Sequence, residues 1–181
     1  SGILTDTMIR DLNAQGAITT PIPFDDGQVQ PASLDLRLGE KAYRVRAAFM
    51  PGTGHTVVEK LYRFKLHEID LTGSAVLETG CVYIVPLLEA LALPDEISAS
   101  ANPKSSTGRL DIFTRVLTDN AVEFDKVAPG YRGPLYLEVS PRTFPIVVRT
   151  GSRLSQIRFR NGHALLDAIQ LTALHETETL V

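Results

Sequence analysis

"ASLDLRL", from Ala32 to Leu38, alternates strictly between apolar and polar side chains. Its three leucines, Leu34, Leu36 and Leu38, lie on one face of an extended chain, and polar residues lie on the other. This two-residue period is the pattern of a β-strand with one buried face. Asp35, on the polar face, is expected to form a structural ion pair with a nearby arginine.

Most of the remaining chain repeats the strand pattern in short runs that prolines and glycines separate. The runs that follow are KAYRVRA, CVYIVPL, EISASAN, DIFTRVL, PLYLEVS, FPIVVRT and RLSQIRF. Many short strands at this spacing predict a mainly β fold, either a sandwich or a barrel. The segment FMPGTGHTV, around residue 52, is expected to be a loop or a hairpin tip.

The two ends of the chain differ from this pattern. Thr5 to Gln15 is predicted to be a short helix with Met8, Ile9 and Leu12 on its apolar face. Thr5 or Asp6 is the expected cap, and Gly16 the expected end. Near the other end, HALLDAIQLTAL fits a final strand or a short helix. We expect one domain over residues 1–181, with a core from 28 to 160 and with 161–181 as a final strand and a tail that we hypothesise to be truncated.

Composition limits the classes of partner. The 181 residues carry a net charge of -3, and 22% of them are charged, so no overall basic field favours a nucleic acid polymer or an anionic membrane. No apolar run reaches the length of a transmembrane helix. Cys81 is the only cysteine, which excludes an internal disulfide and the usual thiolate zinc sites. No signal peptide is visible, and a cytoplasmic location is expected.

The stretch "NPKSSTGRLD", Asn102 to Asp111, gathers two cations and three hydroxyl groups around Lys104 and Arg109. A surface turn has this composition, and so does a loop that holds an anion. Both interpretations remain open from the residues alone.

Common catalytic motifs are absent. The four histidines, at positions 55, 67, 163 and 175, are not paired at metal-binding spacing. The zinc nucleobase deaminase signature is missing, as are the nucleophile elbow and both glycine-rich phosphate motifs. No metal site is predicted.

A carboxylate interrupts the strand "PLYLEVS". Leu135, Leu137 and Val139 share one face, and Tyr136 and Glu138 share the other. Either this second face is exposed to water, or Glu138 is partly buried with a raised pKa and can transfer protons near neutral pH. In the second case Arg109 or Lys104 is the expected partner of the carboxylate.

Four motifs in this order resemble those of the dCTP deaminase family, in the dUTPase-like superfamily. They are QPASLDLRLG (30–39), KSSTGRL (104–110), PGYRGPLYLE (129–138) and a spaced motif from Pro145 to Phe159. The resemblance spans about residues 28–160. The start of the chain and ASANPKSSTGRLD resemble the first half of double-length bacterial members, so we hypothesise that the chain is such a half.

The resemblance implies a distorted β-barrel or jelly roll of the dUTPase-like type. It implies hydrolytic deamination of dCTP to dUTP and ammonia, which feeds dUMP and dTTP synthesis. The reaction would need no catalytic metal, and Mg²⁺ would accompany the triphosphate. The assembly would be a homotrimer, or a pseudo-symmetric equivalent, with active sites between subunits.

The resemblance also implies roles for individual residues. Glu138 matches the general base, Ser105 would help to position the attacking water, and Ser106 and Arg109 would contact the triphosphate and stabilise the active-site carboxylate. Gln156 matches a glutamine that faces the nucleotide. The other implied substrate-binding residues are Lys104, Thr107, Gly108, Asp125, Tyr131 and Tyr136.

The sequence departs from the family pattern in three places. Lys104 replaces an arginine, which keeps the charge and loses the bidentate fork. Ala128 stands where these families usually have an aspartate, which argues against dUTPase chemistry unless Asp125 compensates. A C-terminal lid that closes over the phosphates has no counterpart after Arg160. A dUTP diphosphatase, a bifunctional enzyme and a non-catalytic nucleotide-binding assembly domain are therefore kept as alternatives.

Overall fold

The computed structural model describes residues 2–162 and 166–178, and β-strands dominate it. The helices are α1 (Asp6–Ala14), α2 (Val57–Phe64), α3 (Ser105–Arg109) and α4 (Ala168–Thr177). The strands are β1 (Gly2–Ile3), β2 (Ile18–Thr19), β3 (Val29–Gln30), β4 (Ser33–Arg37), β5 (Lys41–Val45), β6 (Lys65–Asp70), β7 (Ala75–Leu77), β8 (Val82–Ala92), β9 (Ile97–Pro103), β10 (Ile112–Thr118), β11 (Lys126–Val127), β12 (Arg132–Pro141), β13 (Ile146–Val148) and β14 (Arg153–Asn161). The mainly β prediction is confirmed.

The described strands form two large antiparallel sheets and one small one. The first sheet has the order β11-β9-β14-β4-β3, with β1 beside β14. The second has the order β10-β12-β8-β5-β6, with β2 beside β8, and β13 pairs with β7. Side chains from both large sheets meet in one buried apolar cluster. The arrangement fits the jelly-roll form of the prediction, because these sheets do not close into a single barrel.

Strand β4 is buried on both faces. Leu34, Leu36 and Leu38 are fully buried in the main core, as their alternation predicts. On the other face, the Arg37 guanidinium is also fully buried, and its Nε donates to Glu89 Oε1 at 2.8 Å. A paired charge can be buried where an isolated one is too costly, so the polar half of this strand is stabilised by ion pairs.

A second apolar cluster includes side chains of the second sheet and is partly formed by α2. The prediction of a loop around residue 52 holds as far as Thr56, after which helix α2 begins, an element that the sequence patterns did not predict. Thr56 Oγ1 accepts from the Glu59 N–H, and the Glu59 carboxylate accepts from the Thr56 N–H. This capping box starts the helix, and Val57 and Leu61 are its buried residues.

The predicted N-terminal helix is confirmed as α1, within one residue of each expected end. Ile9 and Leu12 are buried, whereas Met8 is 52% exposed and is not part of the core. Gly16 follows the helix with a φ of 77°, a conformation that suits glycine.

The final-strand interpretation of residues 161–181 is wrong for Ala168–Thr177, which form helix α4 after an Asp167–Gln170 capping box. The last strand, β14, ends at Asn161. His163 and residues 179–181 lie outside the described residues. None of the helices in the described ranges is long and apolar enough to cross a membrane.

Candidate active site

Glu138 lies in the middle of β12, between two other strands of the second sheet. Its register partners are Arg115 on β10 and Ile84 on β8. The residue is only 1% exposed, so the interpretation of a water-exposed face is wrong. Tyr136, two residues earlier on the same face, is buried as part of the second apolar cluster.

The Glu138 carboxylate is held through one of its two oxygens. Arg115 Nη2 donates to Oε1 at 2.7 Å, and Arg115 Nε donates to the same oxygen at 3.1 Å. Oε2 is buried and has no hydrogen-bond partner among the described residues. The pairing with Arg109 or Lys104 that we expected is therefore wrong within this chain, because Arg115 is the partner.

Burial raises the pKa of the Glu138 carboxyl, since the charged form loses solvation inside the protein. The Arg115 hydrogen bonds and charge, and the charge of Arg142, act in the opposite direction. A carboxyl group with a raised pKa and a free oxygen can accept and return a proton. The assignment of Glu138 as a general base stays a prediction.

The stretch around Lys104 forms the short helix α3, which links a strand of the first sheet to a strand of the second. Lys104 is its N-cap residue, and Ser105, Ser106, Gly108 and Arg109 are all exposed. Thr107 is buried, so the exposed members are the ones that a ligand can reach. Their predicted contacts with a triphosphate remain a prediction.

Lys104 belongs to a second group of polar residues, on the first sheet. Its Nζ pairs with Oδ2 of Asp35, and Arg153 Nη1 lies 3.6 Å from the same oxygen. Gln156 is in register with Asp35, and Ser33 Oγ donates to Gln156 Oε1 at 3.4 Å. The expected ion pair between Asp35 and an arginine is thus present, with Lys104 added to it.

Tyr131 lines a cleft of about 390 Å³ together with the 118–123 loop and Ala128. Its Oη donates to the Pro134 carbonyl at 2.7 Å and accepts from the Asp119 N–H at 3.1 Å. Burial raises the pKa of this phenol. The ring is therefore fixed at one wall of the cleft, and its contact with substrate stays a prediction.

Asp125 is tied to the backbone. Its Oδ1 accepts from the Val116 N–H at 2.7 Å, and its own N–H donates to the Val116 carbonyl at 2.9 Å. Its φ of 60° is unusual for a residue with a side chain. Asp125 therefore fixes the loop before β11 to β10, and its ability to replace an aspartate at position 128 stays a prediction.

Among residues 2–162 and 166–178, no group of three or more His, Cys, Asp and Glu side chains is arranged to hold a metal ion. His55 lies 3.4 Å from Glu59, at the exposed start of α2. The expectation of a reaction without a protein-bound metal stays a prediction.

Sequence reasoning missed Arg115, although a signal for it exists. In DIFTRVL, Arg115 is the charge on a face that otherwise carries Phe113 and Leu117, just as Glu138 is the charge on its own face of β12. An unpaired charge on each of two neighbouring strands predicts a cross-strand pair. Predicting that Arg115 meets Glu138 requires the register of β10 against β12. The long connection between these two strands does not fix that register.

Comparisons with known proteins agree with the motifs. Residues 1–163 match the family described as the 2'-deoxycytidine 5'-triphosphate deaminase N-terminal domain. A dCTP deaminase of Halorubrum lacusprofundi is 32% identical over 160 residues, covering 87% of this chain and 76% of the relative. A dUMP-forming dCTP deaminase of Beutenbergia cavernae is 31% identical over 158 residues, covering 87% and 78%.

A solved structure is more similar still. The crystal structure of 2'-deoxycytidine 5'-triphosphate deaminase from Agrobacterium tumefaciens is 70% identical, with a TM-score of 0.91 over 99% of this chain. The chain spans only 54% of the length of that protein.

The two-sheet fold and the match to the family model define the class of this chain, a β-sheet domain of the deaminase type. The chain belongs to the dCTP deaminase family and corresponds to its N-terminal domain.

Proposed function

We propose that the protein hydrolyses the amino group of dCTP, giving dUTP and ammonia, with Glu138 as the general base. The observation that carries the proposal is the buried Glu138 carboxylate with one free oxygen, in a chain of the dCTP deaminase family. Burial raises the pKa of this carboxyl, which makes its ionised form a stronger base than a solvent-exposed glutamate.

In the proposed reaction, Glu138 takes a proton from a water molecule as the water oxygen bonds to the amino-bearing carbon of the cytosine ring. Glu138 passes that proton to the ring nitrogen, then takes the proton of the newly formed hydroxyl group and delivers it to the departing amino group. The carbon–nitrogen bond breaks, ammonia leaves and the ring carbon keeps a carbonyl oxygen. Water and dCTP are thus consumed, and dUTP and ammonia are formed. General acid–base assistance of this kind is worth about 10²–10⁴ in rate.

The exposed residues of α3 are proposed to bind the polyphosphate. Hydroxyl groups at Ser105 and Ser106 and the guanidinium of Arg109 are suitable donors for phosphate oxygens. Ser105 would also help to position the water. Mg²⁺ enters with the nucleotide and neutralises part of its charge.

A second candidate product is dUMP. The name of the Beutenbergia cavernae relative describes it as dUMP-forming, which favours a bifunctional deaminase and diphosphatase. Ala128 argues against it, because it offers no carboxylate to activate the second water, and Asp125 is held by the backbone of β10.

The products of dCTP turnover distinguish these functions. The protein is incubated with dCTP and magnesium, and ammonia, dUTP, dUMP and pyrophosphate are measured separately. Equal amounts of ammonia and dUTP support the deaminase. Equal amounts of ammonia, dUMP and pyrophosphate support the bifunctional enzyme. Binding of dCTP without any product contradicts both.

A homotrimer, or a pseudo-symmetric assembly of repeated domains, is proposed as the working form. The support is that large apolar side chains such as Leu110 and Phe144 are exposed on the isolated chain. A mass by light scattering that matches a monomer in the presence of dCTP contradicts this assembly. The single cysteine is compatible with a cytoplasmic setting, which is also part of the proposal.

A further inference from the structure

Arg115 donates hydrogen bonds to only one of the two carboxylate oxygens of Glu138. Both donors of the guanidinium edge, Nε and Nη2, approach Oε1, at 3.1 and 2.7 Å. Oε2 is buried and receives no hydrogen bond from the described residues. One oxygen is therefore fixed, and the other has its lone pairs available.

The guanidinium is itself held by two aromatic rings. The Arg115 Cζ lies 3.5 Å from the centroid of the Phe124 ring and 5.0 Å from that of Phe113. Flat stacking on aromatic faces suits the planar guanidinium and restricts its rotation. Arg115 thus has a fixed position from which it can orient the carboxylate.

We propose that Arg115 positions Glu138 for proton transfer, by binding Oε1 so that Oε2 is presented to the attacking water. The proposal rests on the proposed function, in which Glu138 is the base. Arg115 would act through Glu138 and is therefore a positioning residue. Among the predicted site residues, neither Lys104 nor Arg109 contacts Glu138 within this chain.

The charged groups around Glu138 fix the direction of the expected pH effect. Arg115 faces it from β10, Arg142 from the end of β12, and Asp125 from the loop before β11, while β8 contributes the apolar Ile84. Burial and the Asp125 charge raise the pKa of Glu138, and the two arginines lower it. Arg115 is the one that also donates hydrogen bonds, so its removal raises this pKa further.

The test compares Arg115→Gln and Arg115→Lys with Arg142→Gln, in the whole native protein. Arg142 is a matched control, because its guanidinium also approaches Phe113, at 5.2 Å, and makes no hydrogen bond to Glu138. The rates of ammonia release from dCTP are measured across the pH range in which Glu138 titrates, and kcat is separated from KM.

We expect Arg115→Gln to lower kcat by about 10- to 100-fold at neutral pH with little change in KM. The acidic limb of its rate profile should move to higher pH, because the pKa of Glu138 rises when the guanidinium is removed. Arg115→Lys should have a kcat between those of Arg115→Gln and the wild type. Arg142→Gln should change both kcat and the position of the acidic limb less than Arg115→Gln does. An Arg115→Gln protein with the wild-type kcat and profile overturns the proposal. So does one with a higher kcat, because Arg115 would then restrain the base.

Two further measurements keep the result clear. If Arg115→Gln does not fold, Arg115→Lys becomes the test variant. A kcat and an acidic limb equal to those of the wild type in Arg115→Lys then overturn the proposal. A parallel Glu138→Gln protein separates the two claims. Loss of activity there, with a normal Arg115→Gln, rejects the positioning role and keeps the base. Full activity in Glu138→Gln rejects the proposed base itself.

Discussion

Lys104 and Asp35 form an ion pair that joins the start of helix α3 to strand β4. The Asp35 side chain is 1% exposed and the Lys104 side chain is 26% exposed. The two partners are therefore unequally dependent on the pair, because the lysine can reach water and the aspartate cannot. The helix with the predicted phosphate-binding residues is thus connected directly to the first sheet.

This asymmetry predicts unequal costs of mutation. Lys104→Ala leaves Asp35 buried with only the more distant Arg153, and we expect it to lower the free energy of unfolding by about 3 kcal/mol. Asp35→Asn leaves two cations that can turn towards solvent, and we expect a loss of about 1 kcal/mol. Urea unfolding of both variants measures the difference. Equal losses would mean that the pair does not stabilise α3 in the way we describe.

Mutation of the buried pair of Arg37 and Glu89 is expected to lower the free energy of unfolding more than mutation of the Lys104–Asp35 pair. Both side chains are fully buried, and Gln28 Nε2 also donates to Glu89 Oε1 at 2.8 Å. Arg37→Ala should therefore destabilise the protein by about 3–5 kcal/mol, because a buried carboxylate loses its partner. Lys41→Ala, which breaks an exposed pair with Glu68, is the control and should leave the thermal midpoint unchanged. A small loss for Arg37→Ala would contradict the burial argument.

The Tyr131 hydroxyl connects the cleft wall to two backbone groups. Tyr131→Phe removes both hydrogen bonds and leaves the part-buried Asp119 N–H without this partner, whereas the exposed Pro134 carbonyl can bond to water. We expect a loss of about 1–2 kcal/mol in unfolding free energy and a weaker affinity for dCTP. Tyr62→Phe is the matched control, since Tyr62 is 83% exposed. If the two variants bind dCTP equally well, the cleft at Tyr131 is not part of the nucleotide site.

The raised pKa of Glu138 predicts how stability depends on pH. The folded protein keeps a proton on this carboxyl at pH values where the unfolded chain, with the ordinary value of 4.5, has released it. Wild-type stability should thus fall, relative to Glu138→Gln, as pH rises from 4.5 through the folded pKa, and the difference should then level off. Unfolding free energies at a series of pH values test this. Wild-type stability that instead rises with pH, relative to Glu138→Gln, would mean that folding lowers the pKa of Glu138.

Sequence patterns predicted the strands well and the local helices less well. The alternation in β4 located its core face correctly, since side chains of one strand face point to one side of a sheet. Helix α2 was missed, although its sequence TVVE has the Thr and Glu spacing of a capping box. The apolar run after it resembles a strand as much as a helix, and the cap was the deciding signal.

The candidate site was predictable in its parts and less so in its pairing. Glu138 stood out because a carboxylate on a predicted strand is costly to bury. Its partner was harder to predict, because β10 and β12 are separated by a long loop and only tertiary structure defines their register. Arg109 is part of the motif KSSTGRL, but the side chain that meets Glu138 in this chain is Arg115, from the neighbouring strand β10.

Ammonia release from dCTP, measured in parallel for the wild-type protein and for Glu138→Gln, tests the central claim most directly. Both proteins should bind dCTP and unfold cooperatively, so that a loss of turnover reports on chemistry alone. We predict that the wild-type protein releases ammonia and that the variant is slower by at least about 10²-fold. Ammonia release at the wild-type rate from a folded Glu138→Gln protein would contradict the claim that Glu138 is the base.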